Sequence, residues 1–251
     1  MQPIQAIGFD LFNTLITVDT DTMRAAHGML IASLRKSDLS LEEEGFQKAY
    51  REAAVRHMDN ARRSGRETHN RFWICEALQN QGHTLSPEDP RISTAVEDYF
   101  SAFYPRAHLI PGTLEMLGAL RQRYRLGLLS NFTHGPAAWR ILTETGLTPF
   151  FHVILISGEE GYRKPSPILF RRLVAQLSTE NDGVLYIGDD PDADILGALS
   201  AGLQPVWTTY AMDHKVSHAP VTLAREDPAP GPNVPRISGW EDLFKMLSPI
   251  T

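Results

Sequence analysis

From residue 126 onward, four segments share one pattern: a short aliphatic run, a loop, then a stretch with helical spacing. The runs are Leu126–Leu129, Val153–Ile156, Val184–Ile187 and Pro205–Trp207, and Ile4–Phe9 is a fifth near the start. They read as continuous apolar runs rather than alternating ones, which is how strands look when helices cover both faces of a sheet. Helices are predicted over Thr113–Arg123, Pro136–Thr145, Pro167–Leu177 and Pro191–Ala201, with Gly146 and Gly202 where helix C-terminal glycines belong. Strands alternating with helices predict an α/β fold with a doubly wound parallel sheet.

Between the first run and Pro111 the apolar residues keep helical spacing instead. Ile92, Ala95, Val96, Tyr99, Phe100 and Phe103 form one face, and Phe46, Tyr50, Ala53 and His57 another, in a helix that a capping box at Ser40 and Glu43 would open. The expected organisation is therefore a core of residues 1–16 and 107–251 and a smaller all-helical cap of residues 17–106. Inserted after the first strand, such a cap stands over the carboxyl ends of the strands, where open α/β sheets bind ligands, and a lid is its natural role. Toward the end, Pro220, Pro228, Pro230, Pro232 and Pro235 predict a loop, followed by a short strand at Arg236–Ile237 and a helix around Trp240–Leu247.

Composition narrows the partners. Hydrophobic residues make up 42% and charged residues 22%, which suits a folded globular protein. A formal net charge of −6 and the lack of a lysine/arginine run argue against a nucleic-acid grip. No apolar run reaches membrane-spanning length, and the first strand takes the place a signal segment would occupy. The single cysteine, Cys75, sits among Phe72, Trp73, Ile74 and Leu78 and reads as a packing residue. A cytoplasmic protein without membrane or nucleic-acid partner is expected.

Four polar groups stand at strand ends. Asp10 follows the first run; Ser130-Asn131 follow the second; Lys164-Pro165 precede a helix after the third. Gly188-Asp189-Asp190-Pro191-Asp192-Ala193-Asp194 follows the fourth. Singly, each has an ordinary reading as a turn, a helix start or a solvated charge. Together, at one edge of a parallel sheet, they supply a nucleophile, anion donors, a fixed positive charge and hard oxygen ligands suited to magnesium.

In these motifs the chain resembles the haloacid dehalogenase-like (HAD) superfamily of hydrolases, with a Rossmann-like core and a helical cap. The matching wording is Asp10-Leu11-Phe12-Asn13-Thr14, Ser130-Asn131, Lys164-Pro165 and Gly188-Asp189 through Asp194. The resemblance implies that Asp10 is a nucleophile forming an aspartyl ester, that Thr14, Ser130 and Asn131 hold the transferring group, and that Lys164 neutralises charge. It also implies Mg2+ held by Asp10, the backbone carbonyl of Phe12 and Asp189, with Asp194 as ligand or support, and a small phosphorylated substrate. Phe12 departs from the pattern, because phosphatases of the superfamily carry a second aspartate there to protonate the leaving group and activate water. Such acid–base help contributes ~10²–10⁴-fold in rate.

Three readings stay open on the sequence. The first is a phosphatase with unusual acid–base catalysis. The second is a 2-haloacid dehalogenase with Arg35 on the substrate carboxylate, or a phosphonate-cleaving enzyme with Lys36 or Lys48 as its Schiff-base lysine. The third is a catalytically weak protein that binds a phosphorylated ligand or a protein partner. Specificity would lie in cap residues such as Arg62, Arg63, Arg66, His69, Arg71 and Trp73.

Overall fold

The computed structural model describes residues 3–216 and 230–247. The chain forms β1 (Ala6–Phe9), β2 (Ile16–Val18), β3 (Ala107–Leu109), β4 (Arg125–Ser130), β5 (Val153–Ile156), β6 (Val184–Gly188), β7 (Gln204–Thr208) and β8 (Arg236–Ile237). Six of these make one parallel sheet in the order β5-β4-β1-β6-β7-β8. The strand direction of progress reverses at β1: the chain builds outward through β4 and β5, then returns to β6 on the other side. Ligand crevices of doubly wound sheets lie at such a reversal. The expected fold class is the observed one, including the terminal strand β8.

Between β2 and β3, which pair antiparallel, come α1 (Thr22–Lys36), α2 (Glu43–Ser64), α3 (Asn70–Gln79) and α4 (Pro90–Ser101). Helix α1 packs on α4 and α2 on α3. The two predicted apolar faces are buried apart from the partly exposed His57, which lies 3.1 Å from Glu76 of α3. The capping box at Ser40 does not form. Glu42 caps α2 instead, its carboxylate accepting from the N–H groups of Glu44 and Gly45 (2.9 and 2.6 Å), which also places negative charge at the positive helix end. The Ser40 carbonyl meets His83 at 2.7 Å.

The remaining helices are α5 (Thr113–Leu120), α6 (Gly135–Glu144), α7 (Ser157–Glu160), α8 (Pro167–Leu177), α9 (Gly197–Ser200), α10 (Tyr210–Asp213) and α11 (Trp240–Leu247). Gly146 and Gly202 take the positive φ expected of them. The helix predicted over Pro191–Ala201 is divided: Pro191–Leu196 is a wide π turn, and only then does α9 begin. Of the predicted proline-rich connection, Pro220 and Pro228 lie outside the described residues. No helix among the described residues is long and apolar enough to cross a membrane.

Candidate active site

Strand β1 ends at Phe9, and the next residue, Asp10, is pinned by its N–H donating to the Ile187 carbonyl of β6 (2.9 Å). The chain then turns sharply. Asn13 takes a left-handed backbone (φ 60°), a conformation asparagine tolerates better than most residues. This turn carries Thr14 back beneath Asp10, where its hydroxyl donates to Oδ2 at 3.2 Å. Thr14 is fully buried and does not line the cavity above Asp10, so its place is behind the carboxylate, orienting it, rather than on the transferring group as expected.

The other oxygen of Asp10 faces Lys164. The Lys164 Nζ donates to Asp10 Oδ1 (2.7 Å), Asp194 Oδ1 (2.6 Å) and the Tyr186 hydroxyl (3.1 Å), which uses all three of its hydrogens. The Tyr186 hydroxyl in turn donates to the Leu129 carbonyl at the end of β4 (3.1 Å). Lys164 is 2% exposed, and burial opposes its charge, yet the carboxylates of Asp10 and Asp194 outweigh this and hold the ammonium well above the ordinary lysine range. Asn131 lines the cavity, but its amide is engaged elsewhere: Nδ2 donates to the Lys164 carbonyl (3.0 Å) and Oδ1 accepts from the Lys164 N–H (2.8 Å). Its side chain therefore clamps the lysine backbone at the cavity edge. Ser130, at the end of β4, is buried against the cavity, and its hydroxyl makes no hydrogen bond among the described residues.

Asp189 and Asp194 complete the cluster. Ligand atoms of Asp10, Asp189 and Asp194 all lie within 4.8 Å of one another. Asp194 reaches this position because Gly188 lacks a side chain: a Cβ there would sit 2.3 Å from the Asp194 Cγ. Asp194 Oδ2 also accepts from the Asp190 N–H (3.0 Å), while Asp190 caps the π turn by accepting from Asp192 and Ala193. Asp189 makes no side-chain hydrogen bond or ion pair among the described residues, and its carbonyl accepts from the Trp207 indole (2.9 Å). Burial pushes the Asp189 carboxyl well above the carboxylate range, with repulsion from Asp10, Asp194 and Asp190 adding to it. Burial likewise raises Asp194, to about 7, against the pull of Lys164. Three carboxylates around one ammonium leave two negative charges uncompensated, the deficit that a divalent cation with oxygen ligands would meet.

Residues 4–202 match the family model for haloacid dehalogenase-like hydrolases. The chain belongs to this family.

Curated relatives of this HAD-like hydrolase include a ribulose-1,5-bisphosphate 5-phosphatase of Halopiger xanaduensis, 27% identical over 80% of this chain and 83% of the relative. A pyrimidine 5'-nucleotidase of Escherichia coli is 28% identical over 80% and 84% of the two chains. A phosphoserine phosphatase of Thermus thermophilus is 31% identical over 67% and 61%. Among solved structures, a 2-haloacid dehalogenase from Pseudomonas syringae pv. tomato superposes with a TM-score of 0.70 at 19% identity, over 97% of this chain and 98% of that one. At these identities the solved structures speak to the fold alone.

The HAD-like cavity above Asp10 has a volume of about 170 Å³, below the ~300–1,000 Å³ of pockets for drug-sized ligands, so it suits a small metabolite. Phe12 lines it with its ring stacked on Phe132, centroids 5.1 Å apart. Phe132 continues to Phe100 of α4 at 5.1 Å, and Phe100 to His134 at 4.9 Å. Where the family resemblance implies an acid, this hydrolase has Phe12, whose stack on Phe132 leads on to Phe100 of the cap. Among the described residues, no glutamate or histidine lines the cavity.

The cap residues named from sequence separate clearly. Arg62 and Trp73 line the cavity; Arg63 and Arg66 are exposed, Arg66 lying over the Tyr162 ring; His69 and Arg71 border a different depression. Arg35 is exposed and paired with Glu43 (3.1 Å), so it cannot serve as the carboxylate anchor of a dehalogenase. Lys36 and Lys48 are exposed and away from the cavity, which removes the Schiff-base lysine of the phosphonate reading. Sequence reasoning passed over Asn70, a polar residue 1% exposed at the start of α3, and Arg163, whose Nη1 donates to Glu67 (2.9 Å). Thr68 and Asn70 are residue types that open helices, but the cap is His69, whose ring accepts from the Arg71 N–H.

Proposed function

We propose that the protein is a magnesium-dependent phosphomonoester hydrolase that works through an aspartyl-phosphate on Asp10. The observation that carries this reading is the cluster itself, in which Lys164 joins Asp10 to Asp194 while Asp189 stands unpaired beside them. A halide-displacing enzyme has no use for this surplus of buried carboxylates, and the relatives' names are those of phosphatases acting on small phosphorylated molecules.

Magnesium would be held by Asp10, Asp189 and the Phe12 carbonyl, with Asp194 as support because Lys164 and the Asp190 N–H already occupy its oxygens. When bound, the ion neutralises phosphoryl charge and polarises phosphorus toward attack. The chain's own groups do the rest. Thr14 and Lys164 hold the Asp10 carboxylate at a fixed angle, and one of its oxygens forms the bond to phosphorus as the bond to the leaving oxygen breaks and that oxygen takes the electron pair. Ser130 and Lys164 line the cavity that the phosphoryl group would enter, the ammonium acting through its charge because its hydrogens are already committed. Water then attacks phosphorus, releasing phosphate and restoring Asp10. With Phe12 in place of a carboxyl group, neither the proton for the leaving oxygen nor the base for water comes from that position.

The single buried Cys75, its thiol pushed up to about 11 chiefly by burial, suits a reducing, cytoplasmic location. A panel of phosphorylated metabolites and 2-haloacids, assayed with and without magnesium for wild type and Asp10→Asn, tests the reading. Magnesium-dependent phosphate release that Asp10→Asn abolishes is expected. Metal-independent halide release from 2-chloropropionate would support the dehalogenase reading, in which the departing halide needs no proton from the position of Phe12.

A further inference from the structure

The cavity holds polar groups that chemistry at phosphorus does not use. Asn70 opens α3, and neither its Nδ2 nor its Oδ1 completes a hydrogen bond. Three residues on, Trp73 is 4% exposed with its Nε1–H unpartnered. Residues at i and i+3 share a helix face, and both of these line the cavity. The Tyr50 hydroxyl lies beside Asn70 and Tyr99 but completes no hydrogen bond of good geometry with either, so Asn70 has at most a weak contact from behind.

A buried donor without a partner is destabilising, and folded proteins keep few of them. Two residues with such groups, on one helix face and both lining a catalytic cavity, point to a ligand. Its charge follows from the third member. Arg62, in the last turn of α2, lines the same cavity and has no ion pair among the described residues. Arg163 nearby is already committed to Glu67. The carboxylates lining the cavity, Asp10, Asp189, Asp190 and Asp194, all come from the sheet side. The cap side therefore presents a guanidinium and N–H donors with no opposing carboxylate.

We propose that Arg62, Asn70 and Trp73 form a second anchor, which binds an anionic oxygen group, carboxylate or phosphate, at the far end of a short phosphomonoester. This rests on the reading of Asp10 as a phosphoryl-transfer nucleophile. The amide oxygen of Asn70 remains to accept from a hydroxyl on the same substrate. Specificity then arises at the cap: a substrate with a neutral end leaves Arg62 and two buried donors unmatched, while one with an anionic end satisfies them.

Three probes of similar length test this: 2-phosphoglycolate, propane-1,3-diol bisphosphate and 2-hydroxyethyl phosphate. Wild type should favour at least one anionic probe over 2-hydroxyethyl phosphate by about tenfold or more in kcat/KM. Arg62→Gln and Trp73→Phe, which keeps the ring and deletes the donor, should each lower kcat/KM for that probe by about 10–100-fold, mainly through KM. The loss on 2-hydroxyethyl phosphate, which presents no anionic end, should be about tenfold smaller than that on the anionic probe. Whichever anionic probe loses more identifies the group. Calorimetric binding of the same probes to Asp10→Asn, with magnesium, gives a readout free of turnover. Arg62-dependent binding without hydrolysis by wild type would sustain the anchor and overturn the hydrolase reading. Hydrolysis of all three probes alike, unchanged in Arg62→Gln, would overturn the anchor and sustain the hydrolase. Neither binding nor turnover of any probe would overturn both.

Discussion

Phe12 lies nearly parallel to Phe132, ring planes 13° apart, so the loop that carries Asp10 and the loop that carries Ser130 and Asn131 are joined by an apolar contact. Stacked pairs of this kind contribute about 0.5–1.5 kcal/mol beyond their buried area. The contact occupies the position where an acid would act, and Phe132 in turn touches Phe100 and Phe103 of the cap region. Phe12 therefore exchanges acid–base chemistry for a continuous aromatic seam between core and cap.

Loss of the acid shapes substrate preference. Turnover should rise with the acidity of the leaving group, so that aryl and acyl phosphates outrun alkyl phosphates by up to ~10²–10⁴-fold. Rates across a graded series of aryl phosphates check this. A flat dependence, with product release shown not to limit the rate, would mean that another group delivers the proton.

Magnesium binding should depend on Asp189, the carboxylate in the cluster that no side-chain partner holds. In Asp189→Ala, affinity measured by calorimetric titration should fall by roughly two orders of magnitude. The apo protein should also gain stability at neutral pH from this change, because it removes one buried charge from a repelling set. Equal magnesium affinity in both proteins would remove the metal from the account.

A second polar seam links cap and core. The Arg71 N–H donates to His69 Nδ1 (3.2 Å), His69 Nε2 meets His134 Nδ1 (3.2 Å), and His134 Nε2 meets Glu97 (2.9 Å). These bonds run in one direction and are all satisfied when both imidazoles are neutral; an added proton sets two N–H groups facing each other. Burial pushes His69 down to about 3, helped by Arg71 and His134, and lowers His134 against the pull of Glu97. The unfolded chain thus binds more protons between the ordinary value of 6.5 and about 3, and stability should fall as pH drops through that window. Above it, these groups contribute no pH dependence. Comparing Tm against pH for wild type and His69→Gln, with magnesium present, isolates the effect from Asp194, whose raised carboxyl acts in the opposite sense. The variant should show the shallower decline below pH 6.5. Identical profiles would contradict the seam.

The sheet and its strand-end residues were legible because continuous aliphatic runs and the residues after them are local features. Asp10 and Lys164 meet as expected, since all strands of a parallel sheet end on one edge. The hydrogen bonds of Thr14 to Asp10 and of Asn131 to the Lys164 backbone were not legible, because they depend on which polar group wins a partner that is remote in sequence or across a turn. The π turn at Pro191–Leu196 was hidden for a similar reason. Asp190 caps it while Asp194 fits against Gly188, a packing relation that helix spacing does not encode. Asn70 escaped notice because a buried, unsatisfied amide is visible only in three dimensions.

The central claim is that Asp10 remains a competent nucleophile while Phe12 leaves its ester without a base to activate water. Stopped-flow release of p-nitrophenol from p-nitrophenyl phosphate with magnesium tests it directly, run for wild type, Phe12→Asp and Asp10→Asn. Wild type should give a burst approaching one equivalent of enzyme and then a slow steady rate; Phe12→Asp, once shown to be folded, should raise the steady rate by about tenfold or more; Asp10→Asn should show neither phase. If wild type shows neither burst nor turnover, and a folded, magnesium-binding Phe12→Asp is equally silent, the claim is contradicted.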